Sequence, residues 1–182
     1  MAGSAPRQKL SVTFRGRVDR SVHQSIARAP RGRFAVVAAR FNEAISKKLA
    51  DGAAAALEAG GVAGERVEIH WVPGSFELPQ AAMALARTGR YAGIVCVGVV
   101  IRGETPHFGY IAGSVAHGLS RVGLETGVPV SFGVITSLTE AQAWERAGGA
   151  VGHRGEEAAR AALEMAAFMR GLRVGRATKR RR

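Results

Sequence analysis

Only one cysteine, Cys96, stands in the 182-residue chain, so no disulfide can form within it. It sits inside an apolar segment, where a thiol reads as a small buried hydrophobe, and a reducing cytoplasm suits such a chain. No apolar run approaches the roughly 20 residues a membrane helix needs, so no membrane partner is expected. A long apolar secretory core is likewise missing near the start. Neither HExxH nor CxxC occurs, and His23, His70, His117 and His153 show no metal spacing, so no metal site is expected. Without a P-loop or a dinucleotide GxGxxG, nucleotide hydrolysis and nicotinamide binding lack support. Acids are scarce at both ends. Residues 1–32 hold one against seven Lys/Arg, and residues 171–182 hold none against six. The net charge of +12 belongs to those ends, because residues 33–170 carry 13 bases and 13 acids.

What remains is an ordinary globular composition, 47% hydrophobic and 22% charged. It suits one α/β domain over residues 33–172, between a basic, flexible extension (1–32) and a basic tail (173–182). Alternatively, the Arg-rich ends serve nucleic-acid binding or targeting. The domain is organised around residues 94–107, IVCVGVVIRGETPH. Its first half is a continuous Val/Ile run, which fits a strand buried on both faces. A helical stripe follows at Phe108, Ile111, Val115, Leu119 and Val122. Thr105 then reads as N-cap and Pro106 as the first helical residue. A strand, a short turn and a helix N-terminus with free N–H groups form an anion-binding end, with His107 in its first turn.

Other strands are expected at 33–39, 67–72 and 129–136. Helices are expected from Asn42, as N-cap, to about Ala59, then at about 77–88, and from Thr139 to Ala147, where Thr139 and Gln142 suggest a capping box. A Gly-rich turn at 148–155 precedes a last helix at about 156–172, with Glu156 and Glu157 at its start and Arg170 and Arg173 at its end. Strands alternating with full helical crossovers predict a flavodoxin-like three-layer α/β/α sandwich around a four-stranded parallel sheet.

In such folds ligands bind beyond the carboxyl ends of the strands. The first strand delivers Phe41 and Asn42 there, the second Ser75, Phe76 and Glu77, the third Glu104, Thr105 and His107. Each has a bland reading: core aromatics, a first-turn acid, a surface imidazole. Their joint appearance at three strand ends argues for a site. Phe132 lies early on the fourth strand and cannot share its own subunit's crevice; either it is core or a neighbouring subunit uses it. Arg146 and Arg154 are candidate anion clamps.

Taken together the chain resembles the lumazine synthase family, the 6,7-dimethyl-8-ribityllumazine synthases. The resemblance rests on ARFN at 39–42, VPGSFELP at 72–79, GVVIRGETPHF at 98–108, PVSFGVIT at 129–136 and EAQAWERAG at 140–148. It implies a transferase of riboflavin biosynthesis that condenses 5-amino-6-(D-ribitylamino)uracil with 3,4-dihydroxy-2-butanone 4-phosphate, releasing phosphate and water, with no cofactor. It implies that Phe41 stacks on the pyrimidine and that Ser75, Phe76 and Glu77 bind the uracil and ribityl chain. Val99, Val100 and Ile101 would hold the pyrimidine through their backbone. Glu104 and Thr105 would meet the phosphate ketone, and His107 would transfer protons. Arg146 would pair with the phosphate and Phe132 cap the pyrimidine, both from the adjacent subunit, with Arg154 as an accessory cation where many relatives carry Lys. The resemblance also implies a homo-oligomer, a pentamer that some members build into decamers or hollow icosahedral 60-mers, with riboflavin synthase as an enclosed partner. The short 148–155 turn leans toward the 60-mer.

Two departures stand out. Family members carry an acid two places after the histidine, whereas this chain has Gly109, which removes an orienting carboxylate from His107. The basic ends are also unlike compact members. Two other readings compete with catalysis: a flavin-binding module on the same scaffold, disfavoured by the full RGETPH loop, and a nucleic-acid-binding particle driven by the ends.

Overall fold

The computed structural model describes residues 32–179, so residues 1–31 of the expected extension (1–32) and residues 180–182 of the expected tail (173–182) lie outside the described residues. Four strands, β1 (Arg33–Ala39), β2 (Val67–Val72), β3 (Tyr91–Ile101) and β4 (Val130–Ser137), form one parallel sheet in the order β2-β1-β3-β4. The helices are α1 (Glu43–Ala59), α2 (Leu78–Arg87), α3 (His107–Thr126), α4 (Glu140–Glu145) and α5 (Arg154–Lys179). Because successive strand residues point to opposite faces, β1 feeds two cores. Phe34, Val36 and Ala38 meet Leu49 and Leu57 of α1 and Leu163 of α5. Ala35 and Val37 meet Leu78 of α2 and Leu119 of α3. Both faces being covered explains the unbroken apolar runs, and the expected three-layer sandwich is what is observed. Cys96 is fully buried on the α2/α3 side, where burial pushes its thiol far above the usual range and keeps it protonated. Among the described residues no helix is long and apolar enough to cross a membrane.

β1 and β2 have the expected bounds. β3 starts three residues earlier, at Tyr91, where Gly93 lets Phe34 pack close: a Cβ there would stand 2.6 Å from the Phe34 ring. Thr105 does not cap α3. Pro106 occupies the position before His107, and its carbonyl takes the Gly109 N–H at 3.0 Å, so the first turn closes on backbone alone. Asn42 precedes α1 as expected but makes no side-chain cap; it sits in the left-handed region at φ 59°, and its Nδ2 donates to Val99 O at 3.4 Å. Thr139 does cap α4, accepting from Gln142 N at 3.2 Å, while Gln142 Oε1 accepts from Leu138 N.

The Gly-rich turn is instead a small hairpin of β5 (Ala147–Gly149) and β6 (Gly152–His153). Arg154 belongs to helix rather than turn: it is the first residue of α5, its backbone N donates to Arg146 O at 2.9 Å, and its guanidinium pairs with Glu157. α5 also continues past Leu172 to Lys179, so Arg170 and Arg173 do not form its last turn. Gly171 and Gly175 weaken that stretch by about 1 kcal/mol each, yet no proline stops it.

Candidate active site

β2 and β3 flank β1 on opposite sides, and this reversal of strand order opens a crevice at the carboxyl ends. A cleft of about 800 Å³ lies there, built by the turns that follow β1, β2 and β3 and by the first turns of α3. The β1 turn is held by backbone. Arg40 N donates to Val72 O at 2.8 Å, Phe41 N to Pro73 O at 3.1 Å, and Phe41 O accepts from Ser46 Oγ at 3.3 Å. The Phe41 ring is therefore presented on a fixed main chain while 70% exposed. After β2 comes a single 3₁₀ turn, Ser75–Glu77, steadied by Glu77 Oε2, which accepts from Gly74 N at 2.9 Å. Phe76 on that turn is 57% exposed.

Ser75 is only 6% exposed, lines the cleft, and its Oγ has no hydrogen-bond partner among the described residues. That oxygen lies over Gly98, where an added Cβ would stand 2.7 Å from it, so glycine at 98 is what makes room for the Ser75 side chain. Ser137 Oγ is buried and unpartnered as well, but it does not line this cleft, and nothing in the structure explains it. Val99, Val100, Ile101, Gly103 and Thr105 form the β3 wall, and His107 stands exposed on the first residue of α3. Its imidazole has no partner among the described residues, and a Cβ added at Gly109 would meet nothing within 4 Å. The wall is apolar, the rim carries a carboxylate, a hydroxyl and an imidazole, and the floor opens beside a helix N-terminus. Such a cleft suits a flat polar ring next to a small anion.

A family model described as 6,7-dimethyl-8-ribityllumazine synthase matches residues 31–170. The chain belongs to that family. As a member of the lumazine synthase family it is an enzyme of riboflavin biosynthesis, a transferase.

Of the residues the resemblance singled out, the cleft gathers Phe41, Ser75, Phe76, Glu77, Val99, Val100, Ile101, Thr105 and His107. Glu104 is exposed in the same loop but is not part of the lining. Phe132 is absent from it too. It is the third residue of β4, paired with Cys96 in mid-sheet, roughly 16 Å along the strand from the carboxyl end. Arg146 ends α4, half-buried, with its guanidinium donating to Gln142 O at 2.9 Å, and Arg154 turns to Glu157. Among the described residues no arginine lines the cleft.

The sequence reading missed Tyr110, 72% exposed and part of the cleft wall. Its signal was its place three residues after His107, on the same helix face. Phe108 and Ile111, read as core stripe, also line the cleft while being only half-buried.

Proposed function

We propose that the cleft condenses 5-amino-6-(D-ribitylamino)uracil with 3,4-dihydroxy-2-butanone 4-phosphate to 6,7-dimethyl-8-ribityllumazine. The amine attacks the ketone and expels water to give an imine, phosphate is eliminated, and the second ring closes with loss of a second water. In this reading Phe41 stacks on the pyrimidine, Ser75, Phe76 and Glu77 hold the uracil and ribityl chain, and the backbone of Val99, Val100 and Ile101 lines its edge. Glu104 and Thr105 meet the phosphate ketone, whose anion takes the N–H groups at the α3 start. His107 transfers protons between amine, carbinol and water. Much of the acceleration comes from holding amine and ketone together, which supplies up to about 7 kcal/mol in well-oriented cases.

A single observation carries the reading: the Phe41 ring, held on a fixed main chain, shares one cleft with Glu77, the β3 end and His107 at the start of α3. A phosphate dianion also calls for a cation, and among the described residues no arginine lines the cleft. Arg146 is flanked by exposed apolar side chains, Leu138, Trp144 and Val151, and Phe132 is 44% exposed on an open sheet edge. Apolar surface of this kind marks a subunit contact. Accordingly Arg146 and Phe132 complete the site of the adjacent subunit in a homo-oligomer, the family pentamer or a larger shell of pentamers, with Arg154 as accessory cation. Purified protein given both substrates should produce lumazine absorbance and inorganic phosphate in equal amounts. Phosphate release without lumazine, or neither, would reject the assignment.

A further inference from the structure

Of residues 107–114 in α3, only His107, Gly109, Tyr110 and Ser114 are exposed, while Phe108 and Ile111 turn inward against the core. An added Cβ at Gly109 or Gly113 would meet nothing within 4 Å, so nothing in the chain crowds this side of the helix. Tyr110 is 72% exposed and lines the cleft, yet its hydroxyl makes no hydrogen bond among the described residues. Its ring is not needed for packing, since Val115, Leu119 and Val122 form the buried face of α3. A large aromatic held in water at a cleft wall is available to whatever enters.

Its place relative to His107 decides what it can reach. Residues three apart on a helix are neighbours, with roughly 5–6 Å between their Cβ atoms. A helical side chain leans toward the N-terminus and covers the turn before its own Cα. The phenol is thus directed over the first turn of α3, toward Gly103, Thr105 and His107, which line the same cleft. Gly103 also has open space at its Cβ position, so the loop leaves room beside the helix start. An anion there meets backbone N–H groups. The helix end itself offers few of them: Pro106 has none, and the Gly109 N–H is spent on Pro106 O at 3.0 Å. A tetrahedral phosphate also turns oxygens away from the helix end, and His107 and Tyr110 are the α3 side chains placed to meet them. His107 carries the proton-transfer role in the reading above. The Tyr110 phenol is a neutral donor on a stiff ring with two rotatable bonds, suited to holding such an oxygen.

We propose that Tyr110 is a further substrate-binding residue, whose hydroxyl donates a hydrogen bond to the phosphate group of the ketone substrate. It selects the phosphorylated ketone over the free one from within the same chain. The inference rests on the proposed condensation for the identity of the ester, whereas the capture of phosphate rests on the geometry of the α3 start. A hydrogen bond to an ionised acceptor is about twice as strong as a neutral one, so loss of the hydroxyl weakens phosphate binding by about tenfold.

The test uses the full-length protein and two readouts. Inorganic phosphate is titrated calorimetrically into wild type and Tyr110→Phe, and steady-state KM values are measured for each substrate separately. Tyr110→Phe should weaken phosphate binding by about tenfold and raise the KM of the ketone phosphate by a similar factor. The KM of the aminouracil and the melting midpoint should stay as in wild type, because the exposed hydroxyl has no partner in the fold. Phosphate affinity unchanged in Tyr110→Phe overturns the proposal, as does wild type that binds no phosphate at millimolar concentration. A rise confined to the aminouracil KM overturns it too, since the ring would then serve the pyrimidine. Tyr110→Ala is followed by light scattering. A changed oligomer with unchanged phosphate affinity would make the ring a subunit contact and likewise overturn the proposal. Tenfold weaker phosphate binding in Tyr110→Phe, from a wild type that forms no lumazine, would reject the condensation and leave the phosphate contact standing.

Discussion

Phe41 and His107 show two ways of making a side chain available. The Phe41 main chain is tied on three sides while its ring projects, so stacking on it costs little ordering entropy. His107 has no partner among the described residues, and its position follows from the α3 backbone alone. His107→Ala should slow lumazine formation on the order of 10²-fold while leaving the thermal midpoint unchanged, as steady-state rates and a melting curve will show. A wild-type rate would remove it from the mechanism. Gly109 is the third residue of α3 and has open space at its Cβ position. Gly109→Asp should therefore stabilise the fold by about 1 kcal/mol, through lost glycine entropy and an acid in the first turn. Urea denaturation measures this, and a loss of stability would contradict it.

At the scale of elements, the strand tips are the vulnerable points. Asn42 holds a left-handed conformation that permits the turn into α1 and bonds across to β3. Asn42→Ala should cost about 1 kcal/mol, the penalty for placing an ordinary Cβ in that region. Asn42→Gly should cost less, and equal losses in the two would show that only the side-chain bond matters. At the opposite tips, Glu68 of β2 accepts from Tyr91 of β3 and from Arg33 of β1, tying three strands together. These hydrogen bonds, Tyr91's foremost, and the Arg90 and Arg33 charges hold the Glu68 carboxyl below its ordinary value despite partial desolvation. Burial and the same carboxylate push the Tyr91 phenol up. A depressed carboxylate contributes stability above its unfolded value of 4.5, and that contribution is lost as pH falls through the lower folded value. Tyr91→Phe removes the largest cause, so its acid-unfolding midpoint, followed by circular dichroism, should move to higher pH. An unmoved midpoint would mean that the knot does not bear on stability.

For the molecule as a whole, the sheet and its layers were legible because long Val/Ile runs alternate with helical stripes, and both cores answer to that pattern. The ends of elements were less so. Thr105 looked like a cap, but Pro106 satisfied the first turn with its own carbonyl; the 148–155 glycines looked like a loop, but they pair as a hairpin that delivers Arg154 straight into α5. Phe41, Ser75, Phe76, Glu77, Thr105 and His107 could be named from strand ends alone, since carboxyl-end position follows from topology, whereas Val99, Val100 and Ile101 came only with the family resemblance. Tyr110 escaped because an aromatic in a helix that already has an apolar stripe reads as packing. Phe132 and Arg146 belong to another order of problem, for a chain's own fold cannot display what it lends to a neighbour.

That loan can be measured. His107→Ala and Arg146→Ala, each expected to be nearly inactive alone, are co-expressed so that their subunits mix within one oligomer, and lumazine formation is assayed. If Arg146 serves the adjacent subunit's His107, some interfaces pair two intact residues, and activity should return to about a quarter of wild type. Mixed oligomers no more active than the mean of the two variants would contradict a shared site.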